Sequence, residues 1–431
     1  MRPSHRLKVL LIAEAANPEW TSVPLIGWCQ AQALGRLTEA HIVTQIRNRE
    51  AFLRAGLAEG RDFTAIDNEY IAKPLYKLSS LLRGGEGVGW TTLAAFSSLA
   101  YYAFEFEVWR KFGAPLREGA FDLVHRITPV SPTSQSLLAK RLFRAGVPFV
   151  IGPLNGGVPW PKGFVTRQHA EKEWLSHVRR AYALMPYYGA TRRFATALLV
   201  GSKHTCAQMP SWARPKCIYL PENGIDPDRF GKVRDRRAGV PLKAVFVGRL
   251  VPYKGADILI SAARRFLTDG RLTIDIVGDG PQRPTVEAMV DTMGLRQSVT
   301  FHGWVRHQDV QNIVVDCDFL ALPSVREFGG GVVLEAMALG VTPVVANYAG
   351  PSELVDDDTG IRVPFGDPAS LVSGFEHAIE SLMQSPERLD AFGAAAREKA
   401  MRNFTWDAKA ARIVALYESL LAKADVVSAG R

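Results

Sequence analysis

Short apolar runs alternate with longer amphipathic stretches along almost the whole chain, the pattern of repeated strand–helix–strand units and parallel sheets. In the first half, the runs at Lys8–Ala13, Ala40–Thr44, Leu123–His125, Phe149–Gly152 and Ala197–Gly201 predict strands. In the second half, Lys243–Gly248, Thr273–Gly278, Ser298–His302, Phe319–Leu322, Pro343–Ala346 and Gly360–Val363 do the same. Between these, Ala256–Leu267 and Arg283–Met293 space their apolar residues as helices do. Residues 74–112, rich in Leu, Phe, Tyr and Trp and with Gly84-Gly85-Glu86-Gly87 near their start, predict helices with an exposed apolar face. The stretch 221–243 breaks the rhythm: it is polar, charged and turn-rich, and reads as a linker between domains. Phe404-Thr405-Trp406-Asp407 then leads into a helix over Ala408–Lys423, with Thr405 as its N-cap. The expected architecture is α/β: two doubly wound domains, 1–225 and 226–405, facing across a cleft, with a closing helix over 406–425. Ligands in such folds sit outside the carboxyl ends of the strands.

Composition narrows this picture. A chain of 431 residues suits two domains, and 47% apolar with 22% charged residues is ordinary for a globular protein. There is no low-complexity segment and no internal repeat. Cys29, Cys206, Cys217 and Cys317 are irregularly spaced without a CxxC pair, which reads as reduced thiols and a cytosolic compartment. The basic N-terminus precedes only five apolar residues, Val9–Ala13, before Glu14. That is short of the roughly 7–15 of a signal peptide and fits a buried first strand. The longest candidate for a spanning helix, Val88–Phe104, is interrupted by Gly89, Thr91, Thr92, Ser97 and Ser98.

The net charge of +9 is uneven. Residues 1–200 hold 25 Lys and Arg against 15 Asp and Glu, while the remainder holds 27 against 28. Such a first domain is drawn to anionic surfaces or substrates, a membrane face included. It carries no recognisable nucleic-acid motif.

Three segments of the second half have strand–loop–helix form with chemistry in the loop. In Val245–Gly255 a strand delivers Arg249 and Lys254 to a loop that begins at Gly248 and ends at a helix. Two cations beside a helix N-terminus make a diphosphate clamp. In Ile276-Val277-Gly278-Asp279-Gly280-Pro281 the glycines permit close backbone approach to a ligand, but the third glycine of the dinucleotide fingerprint is missing, which argues against NAD. In Leu322–Ala338 a strand ends at Pro323, Gly329-Gly330-Gly331 follow, and a helix opens. Glu327 lies in that loop and Glu335 on the helix, where carboxylates accept hydrogen bonds from sugar hydroxyls. Asp316-Cys317-Asp318 has the Asp-x-Asp spacing of metal-dependent transferases but abuts a strand and reads as a cap, and Asp356-Asp357-Asp358 reads as a turn. No Ser/His/Asp, Cys/His or zinc spacing is present.

In their order and separations, GRLVPYKG, IVGDGP, PENGIDPDRF and the Glu-x7-Glu of REFGGGVVLEAMALG resemble the retaining family-4-type glycosyltransferases of the GT-B fold (glycosyl transferases group 1), over roughly residues 195–425. The resemblance implies a nucleotide-sugar co-substrate, no other cofactor and no metal. It implies that Arg249 and Lys254 hold the donor diphosphate, that Glu327 contacts the donor sugar, and that Glu335 contacts the ribose. Gly330, Gly331 and Val332 would then offer backbone amides, and the helix after Trp406 would return to the first domain. Phe121–His125 is similar to the family's strand that ends in a histidine at the cleft, which makes His125 a candidate for the acceptor or donor sugar; Asn155-Gly156-Gly157 is a second candidate stretch. Two departures stand out. The family's paired glycines after the first strand are replaced by Ala13-Glu14-Ala15-Ala16-Asn17, and Phe328 follows Glu327 directly where the family has a residue between them. The acceptor is expected to be a saccharide or lipid-linked saccharide at the inner face of the cytoplasmic membrane, in polysaccharide or envelope assembly. Other readings on the same fold are a nucleotide-sugar epimerase, a sugar phosphorylase and a non-catalytic nucleotide-sugar-binding protein.

Overall fold

Strand β1 (Lys8–Ala13) turns Val9, Leu11 and Ala13 to one face and Leu10 and Ile12 to the other, and all five are fully buried. A strand reads this way when helices cover both sides of its sheet. It lies inside a seven-stranded parallel sheet with β2 (Glu39–Gln45), β3 (Phe63–Ile66), β4 (Leu123–Thr128), β5 (Phe149–Leu154), β6 (Ala197–Val200) and β7 (Cys217–Tyr219). The order is β3-β2-β1-β4-β5-β6-β7. The helices Val23–Leu37 and Trp406–Ala429 cover one face; Tyr101, Phe104, Val108, Phe112 and Leu116 of the helix Trp90–Arg117 cover the other. Their spacing of three and four residues is the stripe of an amphipathic helix. Strands β3 and β7, absent from the sequence reading, are the sheet's edges at four and three residues, too short to show alternation.

A second parallel sheet contains β8 (Leu242–Val247), β9 (Leu272–Val277), β10 (Val299–Gly303), β11 (Phe319–Leu322), β12 (Thr342–Ala346) and β13 (Ile361–Val363), in the order β10-β9-β8-β11-β12-β13. The helices Ala256–Thr268 and Pro368–Gln384 pack on one face, and Gly331–Ala338 with Glu387–Asn403 on the other. In each sheet the strand order reverses at one point, between β1 and β4 and between β8 and β11.

The computed structural model describes residues 6–71, 74, 90–156, 182–235 and 241–429, with 158, 160, 161, 163, 164 and 167. The glycines at 84, 85 and 87 and Gly157 lie outside the described residues. The chain divides into two compact units: Met1–Gly157 with Lys172–Glu222 and Trp406–Arg431, and Val158–Glu171 with Asn223–Thr405. Two features differ from the sequence reading. Phe164, expected in the first domain, is buried in the core of the second unit. The stretch after Glu222, expected as a linker, is packed: Ile225 and Phe230 are buried, Ile225 bridges Thr405, and Arg234 is ion-paired to Asp318 at 2.8 Å. Arg234 finds its partners outside the stretch, in Asp318, Asp390 and the Cys317 carbonyl, so high polarity did not mean a loose connection.

Candidate active site

The reversal between β8 and β11 gathers the candidate residues of the second unit. Open parallel sheets bind ligands at this point, because the loops leaving the two strands diverge and leave a crevice. Gly248 follows β8 with φ +155° and Gly278 follows β9 with φ +132°. A Cβ on Gly278 would lie 2.1 Å from the Gly248 carbonyl oxygen, so the two strand ends touch backbone to backbone. Gly255, at φ +79°, precedes the helix Ala256–Thr268, and a Cβ there would lie 2.6 Å from the Pro323 carbonyl oxygen. The amide of Val325 donates to the Tyr253 carbonyl at 2.8 Å, and the Ser324 hydroxyl donates to the same oxygen at 3.1 Å. The loop after β8 is thus tied to the loop after β11.

That tie brings Lys254 to Glu327: the ammonium donates to Glu327 Oε2 within a part-buried pair. Burial opposes the charge on Lys254, yet the adjacent carboxylate outweighs it and raises the ammonium above its ordinary range. Arg249, in the same loop, is exposed and ion-paired to no described carboxylate. Gly329 and Gly330 are buried, and Gly330 is left-handed at φ +60° where the helix Gly331–Ala338 begins. Among the described residues no side chain caps this helix, so its opening residues Gly331 and Val332 present N–H groups without an intrahelical acceptor. Glu335, one turn on, is paired with His307, whose Nε2 lies 2.8 Å from Oε1. The second unit therefore holds a cation–carboxylate pair, an exposed cation, a helix N-terminus and a second carboxylate on the loops around one strand-order reversal.

Two candidates of the first unit are placed differently. β4 continues to Thr128, which carries His125 into the sheet instead of leaving it at a strand end. The ring is fully buried; its Nε2–H donates to the Gly152 carbonyl at 2.7 Å and Nδ1 accepts from the Tyr417 hydroxyl at 2.5 Å. Burial lowers this imidazole to about 4. With both nitrogens engaged, His125 holds the helix Trp406–Ala429 to the sheet and has no ring atom left for a sugar. Asn155 is also buried, donating to Glu222 Oε2 at 2.6 Å and accepting from Ser202 and Thr205 at 3.1 Å each. Of the remaining motifs, Asp318 is buried and accepts from Arg234 and from the Lys243 amide, and Asp356 closes a turn with Thr359. Among the described residues no group of three His, Cys, Asp or Glu could hold a metal ion.

Sequence reasoning missed His307, which lies 28 residues before Glu335 and carries no motif. It also missed the segment after Val158. There the Arg326 guanidinium lies 5.3 Å from the Trp160 ring and 5.5 Å from the Phe328 ring, and Arg167 pairs with Asp257 at 2.6 Å.

Residues 234–399 match the family model described as Glycosyl transferases group 1. The chain is 33% identical over 238 residues to a GDP-mannose-dependent alpha-(1-6)-phosphatidylinositol monomannoside mannosyltransferase of Mycolicibacterium smegmatis, covering 50% of this chain and 60% of that protein. It is 31% identical over 222 residues to a D-inositol 3-phosphate glycosyltransferase of Corynebacterium glutamicum, covering 48% and 50%. The chain spans about half the length of the curated relatives it matches. Among solved structures, the Anabaena protein HepE in complex with UDP matches with a TM-score of 0.61 at 17% identity, over 96% of this chain and 100% of that one. Sucrose-phosphate synthase of Thermosynechococcus elongatus matches with a TM-score of 0.61 at 19% identity, over 97% and 100%. At such identities the likeness concerns the fold, which is GT-B.

Proposed function

We propose, from a chain whose residues 234–399 match the glycosyl transferases group 1 model, that it moves a sugar from a nucleoside-diphosphate donor to an acceptor with retention of anomeric configuration. The meeting of Lys254 and Glu327 at the β8/β11 reversal, beside the uncapped helix at Gly331, carries this reading. In it, the donor diphosphate takes Lys254 from Glu327 and adds Arg249 and the N–H groups of Gly331 and Val332. Glu327, once released, accepts from the sugar hydroxyls, and Glu335 accepts from the ribose. Gly248, Gly278, Gly329 and Gly330 keep the backbone bare where the donor approaches. As the bond from the anomeric carbon to the phosphate oxygen breaks, negative charge gathers on the leaving diphosphate, and the two cations stabilise it without a divalent metal. A leaving-phosphate oxygen takes the proton of the acceptor hydroxyl, so the new bond forms on the face the leaving group vacates. His125 takes no part in this step.

The acceptor is proposed to be a saccharide carried on a lipid at the cytoplasmic face of an anionic membrane. One relative's name contains phosphatidylinositol monomannoside, which supports a lipid-linked class. Exposed Lys140, Phe143, Arg144 and Arg193 give the first unit a surface that is both basic and aromatic. Among the described residues no helix is long and apolar enough to cross a membrane.

Calorimetric titration with UDP, GDP and ADP tests the donor site. One diphosphate is expected to bind and to lose about tenfold or more in affinity in both Arg249→Ala and Glu335→Ala. A bound nucleotide indifferent to both substitutions would falsify the assignment.

A further inference from the structure

We infer that His307 is a positioning residue for the nucleotide ribose: it fixes the Glu335 carboxylate in the orientation in which the ribose hydroxyls find it. This rests on the reading of Glu335 as the ribose ligand. Glu335 stands one turn into the helix Gly331–Ala338, with its side chain 18% exposed. A free glutamate there has three rotatable bonds, and binding a hydroxyl to it loses rotamer entropy that a pre-set carboxylate does not lose. His307 provides that setting through the 2.8 Å contact of Nε2 with Oε1. A carboxylate only accepts, so the Nε2–H donates, and Oε2 is left to receive hydroxyl donors.

The histidine is itself held. It opens the 3-10 turn His307–Asp309, which follows β10 after Trp304, Val305 and Arg306 and is closed by Arg306 Nε donating to Asp309 Oδ2 at 2.6 Å. Its ring packs edge-on against the buried ring of Phe230, with centroids 5.2 Å apart. Nδ1 is buried and has no partner among the described residues, so the bond to Glu335 is the polar contact that sets the ring's orientation. A ring serving only to pack would gain by turning its nitrogens to water; this one keeps one nitrogen unsatisfied and aims the other at the carboxylate. His307 touches no substrate in this arrangement and acts through Glu335.

The test uses the full chain and compares UDP, GDP and ADP with the 2′,3′-dideoxy form of whichever binds, by calorimetry. The wild-type protein is expected to bind the ribonucleotide about tenfold more tightly than the dideoxy form, and Glu335→Ala to bring that ratio close to one. His307→Ala should reduce the ratio to about threefold or less while leaving the dideoxy affinity unchanged, and His307→Gln, which retains an N–H donor, should keep more of it. A merely structural histidine would weaken both nucleotides together. If His307→Ala keeps the wild-type ratio, or weakens both forms equally, while Glu335→Ala collapses it, the positioning role is wrong and the ribose reading stands. A ratio that survives in Glu335→Ala overturns the ribose reading and this inference with it, as does the absence of binding by all three diphosphates. Should His307→Ala not fold, His307→Leu, which fills the ring's space without a donor, must show the same selective loss.

Discussion

Lys254 and Glu327 occupy each other, and their side chains are only 15% and 17% exposed. Removing one leaves the other part-buried and unpaired, which is worse than removing both. In the nucleotide-free protein, a double-mutant cycle of Lys254→Ala and Glu327→Ala is therefore expected to show a coupling of about 1–3 kcal/mol, measured by denaturant unfolding. His125 makes a different kind of pair. Its imidazole is lowered to about 4 in the folded chain, below the ordinary value of 6.5, so the unfolded chain takes the proton first as the solution is acidified. The stability it contributes is complete above pH 6.5 and falls away between 6.5 and about 4, by roughly 3 kcal/mol in all. His125→Gln should flatten that part of the profile of melting temperature against pH. Tyr417→Phe removes the donor to Nδ1 and is expected to destabilise by about 1–3 kcal/mol at neutral pH. Lys254, Glu327 and Glu335 were legible because their motifs place them at a strand end and a helix start. The engagement of both His125 nitrogens was not, since a histidine in an apolar run reads the same at a strand's end as in its middle.

Among the elements, the turns before and after β9 depend on glycine for two separable reasons. Gly270 has φ +68° with nothing within 4 Å of its absent Cβ, so Gly270→Ala meets only the left-handed penalty, about 1–2 kcal/mol. Gly278→Ala adds a collision with the Gly248 carbonyl and should lower the melting temperature clearly further, and weaken nucleotide binding as Gly248 is displaced. Equal melting shifts in the two variants would show that the close approach carries no weight. The loop after β11 also accounts for the direct Glu327–Phe328 succession. Phe328 and Trp160 lie on the Arg326 guanidinium, so the ring is used to hold the residue before Glu327. Trp160 comes from a segment more than 160 residues away, which no local pattern announces.

For the molecule as a whole, the helix Trp406–Ala429 belongs to the first unit although the second unit's residues precede it. Trp406, Ala410, Ile413 and Tyr417 are buried against the first sheet and the helix Val23–Leu37, and the Lys409 ammonium donates to the Glu222 carbonyl at 2.9 Å. A chain ending at Thr405 would expose that face and leave His125 Nδ1 without its donor. Limited proteolysis of such a truncation should cut the first unit rapidly while fragments of the second persist; a first unit as resistant as in the full chain would show that the helix is dispensable.

The sequence by itself determined the class of fold and where the candidate donor-side residues fall. All six strands of the second sheet lie within one residue of their predicted bounds, and Arg249, Lys254, Glu327 and Glu335 fall on the loops and helix their motifs implied. Periodicity, glycine placement and charge spacing are local properties, so they survive in a linear reading. Tertiary structure alone decided the pairings across the chain: Lys254 with Glu327, Glu335 with His307, Trp160 with Arg326, and His125 with Tyr417 at a separation of 292 residues. It also decided that the polar stretch after Glu222 is packed, and that the segment from Val158 lies with the second unit. Each of these depends on which surfaces meet once the sheets are covered, and no spacing within one segment encodes its distant partner.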